Sequence, residues 1–140
     1  MMSFALQEMI DWYQTLTPES VTRTGDFYAP DVHFVDPFND AHGVPAIERI
    51  FYHMFDQLES PRFVVKDVCI SPGQAVLVWD FSFMRKDVLH VVPGTTHLHF
   101  DPKGQVCMHR DYWDPARSLF MGIPVLGWLL RVVYRRMQAK

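Results

Sequence analysis

The chain has 140 residues, a formal net charge of −3 and a hydrophobic share of 49%. That is the size of one domain with enough apolar surface to close a core, and the small acidic surplus argues against a chain drawn as a whole onto nucleic acid. Two cysteines, Cys69 and Cys107, are too few for a disulfide framework or a zinc site and read as buried, reduced thiols.

Phe4, Leu6, Met9, Ile10, Tyr13 and Leu16 recur at helical spacing, so the pattern predicts an amphipathic helix over 3–16. Glu8 and Asp11 interrupt any leader-like apolar run, and no segment is long enough to span a membrane, so a cytoplasmic protein is expected. Thr17 is placed to cap a second helix, with Pro18 at its first position and Glu19 against its dipole. Val21, Phe27 and Tyr28 give that helix a buried side, and Pro30 ends it. A short strand follows at 31–36, stopped by Pro37. Gly43 and Pro45 open a third helix with Ile47, Ile50, Phe51, Met54, Phe55 and Leu58 on its apolar side. After Pro61 the period becomes two. Strands are predicted at 62–70, 75–86, 94–101 and 105–114, with turns at 71–74 and 101–104. A short helix near 115–121 and an amphipathic helix at 125–138 close the chain, with Pro124 between them. The order predicts one α+β domain over 1–140 with a C-terminal helical extension at about 115–140.

Alternation assigns faces. A four-residue turn at 101–104 would pair Phe100 with Gln105, Leu98 with Cys107 and Thr96 with His109. Thr96, Leu98, Phe100, Cys107, His109, Asp111 and Trp113 then share an inner face; His97, His99, Val106, Met108, Arg110 and Tyr112 share the outer one. Leu77, Trp79, Phe81 and Phe83 fall on one side of their strand; Val76, Val78, Asp80, Ser82 and Met84 fall on the other. Both sides are partly apolar, which predicts helices on one face and a second subunit on the other.

The run Phe34–Val35–Asp36–Pro37, with Gly43 and Ala46–Ile47, resembles the ketosteroid isomerase branch of the nuclear transport factor 2-like superfamily. So does His97–Leu98–His99–Phe100 with Gly104 and Val106. The end, Asp111–Tyr112–Trp113–Asp114 with Pro124–Val125–Leu126–Gly127, is similar to bacterial SnoaL-like proteins. The resemblance spans roughly residues 4–114. It implies a cone of three N-terminal helices on a strongly curved, mainly antiparallel sheet, with a C-terminal helix, and a homodimer formed through the outer sheet face. It also implies that Asp36 stands where the isomerases keep their general base. Trp12, one step from Tyr13, stands where they keep a tyrosine donor, and Thr96 where they keep a protonated aspartic acid. Losing one such donor raises a barrier by about 3 kcal/mol, which argues against steroid isomerisation by that mechanism.

The expected function is a pocket for a small hydrophobic molecule, with cofactor-free isomerase, cyclase or dehydratase chemistry. Asp36 would be the base, with His109 and Asp111 as proton partners. Trp12, Tyr13, Ile50, Met54, Val78, Asp80, Thr96, Leu98 and Trp113 would line the cavity. The alternatives are a turn role for Asp36, a histidine and carboxylate that only satisfy each other, and a non-catalytic binding module. His97 and His99 lack a third ligand, so no metal is expected. The helix at 125–138 either docks on the domain or, through Trp128, Tyr134, Arg131, Arg135, Arg136 and Lys140, contacts an anionic membrane over 125–140.

Overall fold

A computed structural model describes residues 3–119 and 122–139. Ser3 is extended, and its Oγ accepts the Leu6 N–H at 3.1 Å, which starts α1 (Phe4–Gln14). Leu6, Met9, Ile10, Trp12 and Tyr13 form the buried side of α1. At its end, Gln14 Oε1 accepts the Val65 N–H at 2.8 Å. Val65 borders an irregularity in its strand, so this side chain supplies the partner that the ladder does not.

The second helix is much shorter than expected. Thr17 and Ser20 do cap each other, each N–H donating to the other's hydroxyl. Only a 3-10 turn (Ser20–Arg23) and one α turn, α2 (Thr24–Phe27), follow. From Tyr28 the backbone pairs with Val106, and tertiary pairing overrides the helical pattern. Pro30 therefore lies inside β1 (Tyr28–Val35), in the irregular stretch between the paired residues Tyr28 and His33, where it has no ladder bond to break.

The three residues of β2 (Asp40–His42), too few to show a period, pair antiparallel with β1. Gly43 then turns the chain at φ 91°, open to glycine, into α3 (Val44–Gln57). The remaining strands are β3 (Glu59–Ser71), β4 (Gln74–Arg85), β5 (Val88–Phe100) and β6 (Val106–Tyr112). All six form one curved, unclosed sheet in the order β2–β1–β6–β5–β4–β3, in which only β1 and β6 run parallel. The helices α1 and α3 pack on its inner face. The α+β architecture is the expected one.

β5 starts well before Gly94. Lys86 and Asp87, at φ 51° and 61°, make a tight two-residue turn between β4 and β5. Val88–Gly94 pairs only with β4, because β6 joins from Thr95 onward. Pro93 thus sits on an edge, where its missing N–H breaks no second ladder.

The β5–β6 register also differs from expectation. Thr96 faces Asp111, Leu98 faces His109 and Phe100 faces Val106. The slip leaves Thr96, Leu98, His109 and Asp111 on one face, because the side-chain period is two. A bulge at Cys107 then changes the phase, so Val106 points inward and is fully buried. Neither thiol is fully buried: Cys107 is half-buried and Cys69 is exposed. Val78 and Asp80 lie on the outer face of β4, since Leu77, Trp79 and Phe83 take the inner positions.

After β6, Asp114 caps the short α4 (Pro115–Ser118), which ends before the expected 121; Phe120 and Met121 lie outside the described residues. The last helix, α5 (Pro124–Met137), buries only Gly127. Its apolar stripe is not docked on the sheet.

Gly94 lies opposite Trp79, and a Cβ there would stand 2.3 Å from Trp79 Cη2. The ring is buried and cannot swing away. Gly94→Ala is expected to lower stability by about 1–3 kcal/mol, measured as a reduced midpoint in guanidinium unfolding. An unchanged midpoint would mean that the ring is not fixed there.

Candidate functional site

Between α1, α3 and the inner sheet face lies a pocket of about 310 Å³, at the lower end of the range for small-molecule sites. The sheet contributes Phe63, Trp79, Phe81, Phe83 and Val92. Tyr13 comes from α1, Ile50 and Met54 come from α3, and Trp113 and Leu119 come from the segment after β6. Two carboxylates, Asp36 and Asp111, also line it, and no lysine or arginine does.

Asp111 is held from behind. Its Oδ1 accepts the Thr96 hydroxyl at 2.6 Å and meets His109 Nε2 at 2.8 Å. Trp79 Nε1, which can only donate, gives its proton to Thr96 Oγ1 at 2.8 Å. With Asp111 ionised, His109 Nε2 must carry a proton. In a neutral ring Nδ1 then accepts the Tyr28 hydroxyl at 2.8 Å. Both donor lines converge on one oxygen of Asp111, and no hydrogen bond among the described residues uses the other. His109 is 1% exposed and stacks near Phe34 and Tyr28, so its orientation is fixed by packing as well as by hydrogen bonds.

Two phenols flank this line. Burial, then the charge of Asp111, pushes the Tyr28 hydroxyl well above the ordinary phenol range. Burial does the same to Tyr13, followed by Asp111, Tyr28 and Asp36, against a smaller opposing effect of the Thr96 hydroxyl. Both therefore remain neutral donors at physiological pH.

Asp36 has a different environment. Its Oδ1 accepts the N–H groups of Phe38 and Asn39 at 2.8 and 2.7 Å, and the Asn39 amide reaches both oxygens at 3.1 Å. It borders the pocket and is also the hydrogen-bonded aspartate of the turn into β2.

Of the residues proposed from sequence, Asp36, Asp111, Tyr13, Ile50, Met54 and Trp113 stand in the pocket wall. Trp12 does not; its Nε1 donates to the Ser20 carbonyl at 2.9 Å and its ring packs on Phe27. Thr96, Leu98 and His109 are fully buried behind the wall, where His109 reaches the pocket through Asp111 and Thr96 bonds two wall residues, Asp111 and Trp79. Val78 and Asp80 face away from it, and Asp80 lies 3.6 Å from Lys66. The cavity therefore holds two carboxylates rather than three. Sequence reasoning missed Phe63, Phe81, Phe83 and Val92 as lining, although β4 alternation already grouped Trp79, Phe81 and Phe83. Tyr28 was missed because it was assigned to a helix.

A second depression of about 390 Å³ lies between the start of α1 and the β3–β4 turn, and Asp26 is its one titratable lining group. On the outer face, His97 bonds Gln74 at 2.6 Å. Among the described residues, His33, Asp40 and His42 bring three potential metal-binding atoms within 4.8 Å. The two imidazoles are stacked, however, with centroids 4.3 Å apart and planes 9° from parallel. One ion cannot lie in both ring planes, as imidazole ligation requires. The His33 hydrogen bond is the main cause that lowers the Asp40 carboxyl below its ordinary range.

Similar folds occur among solved structures. A nuclear transport factor 2-like protein of unknown function from Burkholderia pseudomallei superposes with a TM-score of 0.72 at 16% identity, covering 83% of this chain and 95% of that one. A Catenulispora acidiphila protein of ketosteroid isomerase-like fold, in complex with trimethylamine, gives 0.71 at 14% identity, covering 85% and 92%. A candidate SnoaL-like polyketide cyclase from Shewanella putrefaciens gives 0.68 at 17% identity, covering 85% and 95%. At these identities the likeness shows the fold alone. No curated protein matches the sequence. Residues 9–109 match the SnoaL-like domain, and the chain thus belongs to the SnoaL-like family within the nuclear transport factor 2-like superfamily.

Proposed function

We propose that the pocket binds a small hydrophobic molecule and that Asp111 moves a proton on it, in cofactor-free chemistry of the isomerase, cyclase or dehydratase kind. One observation carries this reading: a carboxylate with one oxygen anchored, and the other without a hydrogen bond among the described residues, borders a wall made mainly of aromatic and aliphatic side chains, with Asp36, Asn39, His53 and Gln57 as its other polar members. Asp111 is the proton acceptor. His109, Thr96 and Tyr28 are positioning residues, because none of them lines the pocket and each acts on Asp111, Tyr28 through His109. Tyr13, kept neutral by burial, presents a hydroxyl to negative charge forming on a ligand oxygen. It offers the phenol that the resemblance assigned one position earlier, to Trp12.

A proton leaves a ligand carbon for Asp111, and the bonding electrons move onto the conjugated ligand oxygen. The same carboxyl returns the proton to another atom of the ligand, so the net change is a rearrangement. Asp36, with both oxygens engaged in its turn, shapes the rim. The family match and the candidate polyketide cyclase among the similar folds support an isomerase or cyclase type.

Native mass spectrometry of freshly purified protein is expected to show a retained hydrophobic molecule. Exchange of its acidic C–H in heavy water, followed by NMR, should be accelerated by the wild type. Asp111→Asn should lose at least about 100-fold of that rate, and Asp36→Asn less than about tenfold. Equal exchange by wild type and Asp111→Asn would remove Asp111 as the base.

The raised phenols of Tyr13 and Tyr28 also set a pH dependence. The unfolded chain loses these protons near the ordinary value of about 10, before the folded one does. Their contribution is fully present below that value and falls as pH rises through the higher folded values. In an absorbance titration, two of the five tyrosines, Tyr13 and Tyr28, should stay protonated above the ordinary phenol range and ionise on unfolding. Smooth titration of all five in the folded protein would contradict this.

A further inference from the structure

We infer that α5 lies flat on an anionic membrane surface. Leu126, Leu129, Val133 and Met137 recur at helical spacing and are 40%, 48%, 54% and 81% exposed, so they form an uncovered apolar stripe. Val125 widens it on one side, and Trp128, also exposed, lies further round the helix beside Arg135. The folded chain leaves this stripe bare while it holds a different side of the helix, where Gly127 is buried and the Arg117 guanidinium sits 5.1 Å from the Tyr134 ring.

Charge supports the same assignment. Residues 124–140 carry four basic side chains and no acidic one; the preceding 123 residues carry nine basic against sixteen acidic. The cationic charge is thus concentrated on the segment that exposes the apolar stripe. Arg135 falls opposite the stripe and Arg136 on its shoulder, positions from which long side chains reach lipid headgroups. The 14-residue helix is about 21 Å long, and no helix among the described residues is long and apolar enough to cross a bilayer. An interfacial position is what remains for a short, broad, cationic amphipathic helix. Pairing two copies through the stripe would bring together two helices that each carry the exposed Arg135 and Arg136 and no acidic residue. An anionic headgroup layer supplies that missing charge.

The test is flotation of the full-length protein with vesicles of phosphatidylcholine, either alone or with about 30 mol% phosphatidylglycerol. The expected result is at least about tenfold greater recovery with the anionic vesicles, declining as salt rises from about 0.1 to 0.5 M. Arg135→Glu with Arg136→Glu should reverse that gain. Leu129→Ser with Val133→Ser should reduce recovery on both vesicle types. All four positions are exposed, so thermal melts of both variants should coincide with the wild type. Equal recovery on neutral and anionic vesicles, or variants that float like the wild type, would overturn the inference. Light scattering that shows a dimer dissociated by Leu129→Ser with Val133→Ser, with no vesicle recruitment, would give the stripe to a second copy instead.

Discussion

A line of buried hydrogen bonds runs from Tyr28 through His109, Asp111 and Thr96 to Trp79, and it crosses from β1 to β6, β5 and β4. Each of these polar groups sits in an aromatic interior, where a missing partner is more damaging than an apolar replacement. Four strands must therefore agree in register for any one group to be satisfied. Other features accommodate this line. The bulge at Cys107 lets Val106 fill the core beside Tyr28 while His109 and Asp111 keep their inward phase. Gly94 leaves the gap into which the Trp79 ring lies, and so allows Nε1 to reach Thr96.

The two pocket carboxylates show how context divides identical chemistry. Asp36 follows a strand and precedes a proline, and its turn supplies four donor contacts from three residues downstream or nearer. Asp111 lies within a strand, where the backbone ladder takes all local donors and only side chains from other strands can reach it. Hydrogen bonds made within the turn occupy Asp36 on both oxygens. Those made to Asp111 occupy only one, and that difference is set by secondary structure rather than by residue type.

Much of this was legible in the sequence because strand alternation survives errors of register. The β5–β6 pairing expected from the turn was wrong by one residue at Phe100 and by two at Leu98 and Thr96, yet Thr96, Leu98, His109 and Asp111 still shared a face, since a shift of two preserves side-chain direction. Val106 was misplaced because a bulge leaves no local signature. The second helix failed at Tyr28 because its partner, Val106, lies far along the chain. The strand expected at 94–101 began too late for a similar reason: only the topology reveals that Val88–Gly94 is an edge paired with β4 alone. Helical periodicity located α1 closely but could not say which of Trp12 and Tyr13, adjacent on one buried side, would reach the cavity.

Trp113 and Leu119 bracket α4 and both belong to the pocket wall, and α5 begins five residues after Leu119. One covalent segment thus serves as part of the pocket wall and as the root of the basic helix. If a restraint on α5 is carried back along the chain to Leu119, it also restrains that wall, and a molecule that presses on Leu119 then acts on the root of α5. The two events are thermodynamically reciprocal: to the extent that one alters the free energy of the other, the converse holds by the same amount.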